Sequence, residues 1–212
     1  MSMPSNAPTA APAASAAPRL VLGSTSRYRR ELLGRLRLPF ECADPAVDEG
    51  RLPAESPADM ATRLALAKAR AVAARHPDAI VIGSDQVADL DGEPLGKPGT
   101  HARALAQLHA MRGRAVLFHT AVAVVRPATG HTGQAMATVQ VRFGQHSDAL
   151  LDHYLRLEQP YDCAGSAKCE TLGIALLGAI ESDDPTALIG LPLIHTCALL
   201  RAAGLEPLAW AR

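Results

Sequence analysis

Ser26-Arg27-Tyr28-Arg29-Arg30 sets three arginines directly behind a serine that suits a helix N-cap. The helix dipole is positive at that end, so acids are usual there and cations are disfavoured. Misplaced positive charge asks for an anion. Phosphate answers it, because free N–H groups and the dipole attract it and Arg adds forked donors. The preceding Gly23-Ser24-Thr25 is small enough to let a backbone approach phosphate. A solvated basic turn is the ordinary alternative. No G-x-x-x-x-G-K-[ST] loop occurs, so this is not a Walker site.

Gly83-Ser84-Asp85-Gln86 places an acid directly after an apolar run. Ligands of α/β sheets gather at strand ends, and an Asp there holds a divalent metal or orients water. A plain turn Asp is the competing account. Gly96-Lys97-Pro98 pins a positive charge that suits a polyphosphate. Lys68 stands four residues after Leu64 and eight after Met60, on an otherwise apolar helical stripe. Snorkelling of its stem is the ordinary account of that position. Asp48-Glu49 adds an acid pair in a loop. Separated acids and basic elements together suit metal-assisted attack on a polyphosphate.

The elements that must position these residues follow from periodicity. Residues 19–22 read as a short buried strand, followed by a tight turn and a helix with Leu32, Leu33 and Leu36 on one face, ended by Pro39. Ser56-Pro57 starts a second helix over 57–75. Residues 79–83 form a second buried strand, and another pairs with it through Asp91-Gly92. Residues 101–111 read as helix. The apolar run 115–125 and the alternating run 134–143 flank a Pro-Ala-Thr-Gly turn, which predicts a long antiparallel hairpin. A helix over 147–157, a strand near 174–180 and a final helix from Leu193 to about Gly204 complete the pattern. The expected fold is mixed α/β, with a largely antiparallel sheet and flanking helices.

Composition narrows the classes. A chain of 212 residues that is 48% hydrophobic carries one good core. Lys plus Arg and Asp plus Glu each number 21, so the basic excess of a nucleic-acid binder is missing. Four cysteines without a C-x-x-C pair read as reduced thiols of a cytoplasmic protein, and eight scattered histidines form no zinc pattern. Residues 1–18 are Ala/Pro-rich, unlike a signal peptide, and read as a disordered extension before one domain over 19–212. No apolar run is long enough to span a membrane.

In their order, LVLGSTSRYRRELL, VDE, RLALAKA, IGSDQV, GKP, YDCAGSAKCETLGI and LIGLPL resemble the Maf-like nucleotide pyrophosphatases over residues 19 to about 205. The resemblance implies a fold shared with the inosine triphosphate pyrophosphatases, with two lobes around a cleft. It implies a divalent metal such as Mg²⁺ or Mn²⁺, a small-molecule nucleotide substrate, frequent homodimers and cleavage between the α and β phosphates. Asp85 matches the family's proton acceptor. Ser24, Arg29, Glu49, Lys68 and Lys97 match its phosphate and metal cluster, with Glu49 and Asp85 as metal ligands. Tyr28, Gln86 and Glu170 match the positions that track base choice, and they are similar to the subgroup acting on 7-methyl-GTP. Arg27 and Tyr28 depart from the usual Pro and Trp. A cationic 7-methylguanine suits an aromatic face and a nearby carboxylate. Pyrophosphatases of dTTP or UTP, a nucleotide-sensing regulator linked to cell division and a generic phosphatase are the rival readings.

Overall fold

The computed structural model describes residues 18–212. The extension expected over 1–18 therefore lies, Pro18 apart, outside the described residues. Strand β1 (Leu20–Gly23) runs parallel to both its neighbours, β2 (Glu41–Ala43) and β3 (Ile80–Leu90). Strand β4 (Glu93–Leu95) pairs antiparallel with the end of β3. On the other side of β3, strands β5 (Ala115–Arg126), β6 (His131–Phe143) and β7 (Leu177–Glu181) follow, each antiparallel to the one before. The result is the expected mixed, largely antiparallel sheet.

Helices cover both faces. Helix α2 (Pro57–Ala73) packs Ala61, Ala65 and Ala69 against Val81, Val87, Ala121 and Ala123 on one face. Its small residues bring it very close to β3. A Cβ added at Gly83 would stand 2.3 Å from the Ala65 carbonyl and 2.4 Å from the Ala69 nitrogen, so only glycine fits there. The opposite face carries two separate cores. One joins Leu20, Ile82 and Val124 to helices α1 (Arg27–Gly34) and α5 (Leu193–Ala202). The other joins Ala88, Phe118 and Val139 to helices α3 (His101–Met111) and α4 (Asp148–Glu158). Strands β3, β5 and β6 thus run through two lobes.

Three boundaries differ from expectation. Strand β3 does not stop at Gly83 but continues to Leu90, because β5 pairs with it from Val81 to Asp89. The polar stretch after Gly83 is no break, since Ser84 donates its hydroxyl to the Ala121 carbonyl at 2.8 Å. The segment near Ile174 begins as a 3₁₀ turn over Leu172–Leu176, and its strand covers only 177–181. Helix α5 is not the last, because Pro207 opens a short α6 (Pro207–Trp210) behind its Glu206 cap.

Candidate functional site

The site grows out of a gap in strand pairing. On the side of β3 away from β5, β1 pairs only as far as Gly83 and β4 begins only at Ala88. Ser84 to Val87 therefore form an open stretch of sheet edge. Asp85 is not at a strand end, as the sequence suggested, but in the middle of an eleven-residue strand. What the sequence signalled as an end is an end of the neighbouring strand. Side chains alternate along a strand, so Asp85 turns toward α2 while Ser84 and Gln86 turn to the opposite face. A cleft of about 750 Å³ wraps this edge and is lined by Ser24, Tyr28, Arg29, Glu49, Lys68, Asp85, Gln86, Lys97 and Glu170. All nine residues singled out in the sequence thus share one cleft, of a size usual for small-molecule sites.

The α2 side holds the charge. Lys68 is buried, and its Nζ lies 2.6 Å from Asp85 Oδ1 and 2.6 Å from Glu49 Oε1. Snorkelling is therefore not its role, since the ammonium is turned inward to a buried carboxylate. Burial would raise the Glu49 carboxyl, but the Lys68 hydrogen bond and the charges of Lys68, Lys97 and Arg29 outweigh it and hold the group below its ordinary value. Asp48 takes no part there, and accepts from the Gly50 N–H in its own loop. Arg63 braces that loop by donating to the Glu55 carboxylate and to the Gly50 carbonyl.

Helix α1 points its N-terminus into the gap. Ser26 is the cap, with its hydroxyl accepting from the Arg29 N–H. The Ser24 hydroxyl accepts from the Ser26 N–H at 3.1 Å. With Arg29 capped by Ser26, the Arg27 and Tyr28 N–H groups of the first turn have no partner within the helix and remain for an anion. The three arginines separate. Arg30 is exposed, and Arg27 donates to the Tyr28 hydroxyl. Only Arg29 is both part-buried and close to the acids: desolvation lowers its guanidinium, and the charges of Asp85 and Glu49 oppose the shift. Its Nε donates to the Gly190 carbonyl at 2.8 Å, leaving the two terminal nitrogens for a ligand.

Tyr28, Gln86 and Glu170 line the other arm of the cleft. The Gln86 amide nitrogen lies 3.0 Å from both the Ala187 and the Leu188 carbonyls and 2.9 Å from Thr120 Oγ1. The amide oxygen therefore faces away from these carbonyls. The Arg27 guanidinium sits 4.7 Å from the Tyr28 ring centroid. One face of the ring is thus already covered, which the sequence did not foretell, and a base has only the other. Glu170 is exposed at the rim. Cys163 also lines the cleft, and burial pushes its thiol up to about 11, so it is no nucleophile at neutral pH.

Glu49 and Asp85 suit a hard divalent cation. Their carboxylates converge on one ammonium, each retains a second oxygen, and Mg²⁺ commonly takes one or two carboxylates and completes its shell with phosphate and water. Among the described residues no group of three potential ligands occurs, so the substrate would complete the shell.

The sequence reading missed Ser84, Thr120 and Gly190. Gly190 stood inside the LIGLPL motif without a role, and nothing local marks the two hydroxyls.

The model of the Maf-like protein family matches residues 19–203. The chain belongs to the Maf-like family. A Maf-like relative from Albidiferax ferrireducens, named 7-methyl-GTP pyrophosphatase, is 62% identical over 190 residues, covering 90% of this chain and 96% of that one. Relatives of the same name from Bordetella pertussis and Cupriavidus metallidurans are 59% and 60% identical, covering 90% and 88% of this chain and 95% and 94% of theirs. A solved structure, that of the Staphylococcus aureus Ham1 protein, is similar over 59% of this chain and 71% of that chain, with a TM-score of 0.42 and 17% identity.

Proposed function

We propose that this cleft hydrolyses 7-methyl-GTP to 7-methyl-GMP and pyrophosphate. The observation that carries the reading is the Glu49–Lys68–Asp85 cluster beside Arg29 and the α1 N-terminus, with Tyr28, Gln86 and Glu170 on the other arm. Arg29, Lys97, Ser24 and the first-turn N–H groups of α1 bind the triphosphate. Lys68 fixes the Asp85 carboxylate. Asp85 takes the proton from a water that attacks the α phosphorus, the α–β P–O bond breaks, and pyrophosphate leaves. Glu49 and Asp85 would hold the divalent cation, Mg²⁺ or Mn²⁺, which when bound supplies neutralising charge to the phosphates.

At the base arm, the Glu170 carboxylate accepts from the guanine N1–H and exocyclic amine, donors made more acidic when N7 is methylated. The free Tyr28 face attracts the cationic ring by roughly 0.5–2 kcal/mol. The names of the close relatives support the same base. The reading includes action in the cytoplasm, where the four free thiols stay reduced. A homodimer is part of it on family resemblance alone. Among the described residues no helix is long and apolar enough to cross a membrane.

The test is purified protein with Mg²⁺ or Mn²⁺ and a nucleotide panel read by product identity. Pyrophosphate is the expected product, with the highest kcat/KM on 7-methyl-GTP. Glu170→Gln should erode the preference over GTP more than it harms turnover of GTP. A wild-type ratio near one defeats the methylguanine assignment, and orthophosphate as first product defeats the pyrophosphatase reading.

A further inference from the structure

Gln86 and Arg29 belong to opposite arms of the cleft, yet both lean on one short turn. The 3₁₀ turn Ala187–Ile189 ends at Gly190, whose φ of 126° lies where glycine is favoured. The Gly190 carbonyl accepts from Arg29 Nε at 2.8 Å and lies 3.2 Å from the Ser84 hydroxyl. Three residues earlier, the Ala187 carbonyl accepts from the Thr120 hydroxyl at 3.0 Å and lies 3.0 Å from the Gln86 amide nitrogen. Ser84 and Thr120 are both fully buried. They stand on adjacent strands, facing Val122 and Gln86 respectively in the β3–β5 register.

A hydroxyl has one hydrogen and two acceptor sites. The Thr120 hydrogen goes to Ala187, so its oxygen can only accept from the Gln86 amide and, with the Ala187 and Leu188 carbonyls, helps to fix that amide's direction. With its nitrogen directed to Thr120 Oγ1 and two backbone carbonyls, Gln86 offers the cleft only its carbonyl oxygen. Ser84 shares its hydrogen between the Ala121 carbonyl at 2.8 Å and the Gly190 carbonyl. It ties the Arg29 anchor to the sheet.

We propose that Ser84 and Thr120 are positioning residues with separate clients. Ser84 holds the Gly190 carbonyl that sets Arg29 toward phosphate. Thr120 locks Gln86 as an acceptor and so selects a base edge that donates N–H. The proposal rests on the reading of the cleft as a nucleotide site, and it explains how one buried turn keeps phosphate and base recognition in register. A merely structural turn would affect both arms together.

The test measures binding of the full chain to two probes, inorganic tripolyphosphate and a panel of nucleotides. Thr120→Val keeps the shape and removes the hydroxyl. It should change the ratio of Kd values between the preferred base and its competitors by roughly 3- to 10-fold, the size of one hydrogen bond. Tripolyphosphate binding should stay within about twofold, well below one hydrogen bond's worth, and Thr120→Ser should restore the ratio. Ser84→Ala should weaken tripolyphosphate and every nucleotide alike by roughly 3- to 10-fold on the same scale, with the base ratio unmoved. Equal losses on both probes in both variants overturn the proposal, as does an unmoved base ratio in Thr120→Val. Failure of the unaltered protein to bind tripolyphosphate or any nucleotide instead overturns the nucleotide reading itself.

Discussion

Two lysines, Lys68 and Lys168, are buried to nearly the same degree, with side chains 5% and 7% exposed, and each faces two carboxylates. The likeness ends at the distances. Lys68 meets Glu49 and Asp85 at 2.6 Å each, whereas Lys168 stands 3.8 Å from both Glu158 and Asp162. Lys168 reaches only the Glu158 backbone carbonyl, at 3.4 Å. The scaffolds explain the contrast. Lys68 and Asp85 are carried by a helix and a strand held together over the bare Gly83. Lys168 lies on irregular chain between α4 and β7, after a left-handed Gly165–Ser166 pair. Rigid elements position groups more tightly than loops. The wall proposed for phosphate chemistry thus has its Lys68–Asp85 pair on regular structure, with Glu49 added from a braced loop, whereas the wall next to Glu170 is irregular chain.

Breaking the tight side should cost most. Asp85→Asn keeps the shape but removes the proposed proton acceptor and metal ligand, and turnover is expected to fall by at least ~100-fold, the lower end for a positioned base. Near-wild-type kcat would end the assignment. Arg29→Ala should weaken all nucleotides alike by about 1.5–3 kcal/mol, the worth of a charged hydrogen bond. A fall in Tm with unchanged KM would make that arginine structural. The Gly190 carbonyl keeps Ser84 as a neighbour, so little stability should be lost.

Lys168→Met sharpens the comparison from the loose side. It leaves the largely buried Glu158 without a cation, so Tm should drop by roughly 2–8 °C, from a penalty of about 1–2 kcal/mol in a domain of this size. Yet kcat should stay within about threefold, because no hydrogen bond of Lys168 reaches the reacting end. A larger loss of kcat than in Arg29→Ala would erase the distinction between the two walls.

The smallest effect concerns the loop behind Glu49. The Arg63 hydrogen bond, with the Leu52 N–H and the charges of Arg63 and Arg51, outweighs burial and pulls the Glu55 carboxyl down to about 2. A depressed folded value means that its contribution to stability is present above about pH 4.5 and is lost as pH falls toward 2. Arg63→Ala should flatten the acid side of a Tm-against-pH curve in that window and leave Tm differences above it unchanged with pH. A curve parallel to wild type down to pH 2 would show that the brace does not hold.

Most elements were legible because their periodicity is local: the hairpin 115–143, the helix at 101–111 and the cap at Ser26 all formed as read. Asp85 and Lys68 stood out because each violated a local rule, an acid after an apolar run and a cation on an apolar stripe; the cations at the helix start stood out as a trio, from which only the family resemblance picked Arg29. Strand β3 was cut short because its polar stretch is satisfied by partners on β5 and beyond, which no window of sequence contains. Arg27 stacking on Tyr28, and the meeting of Ser84 and Thr120 over Ala187–Gly190, arise from side-chain direction and strand register, invisible to spacing alone.

Strands β3, β5 and β6 cross from one lobe to the other without interruption. Among the described residues no short linker separates the two halves, so an opening movement between the lobes must bend a hydrogen-bonded ladder rather than swing on a hinge. Its two lobes are joined like the ends of a stiff leaf spring, and at Ser84–Val87 that spring is one strand narrower.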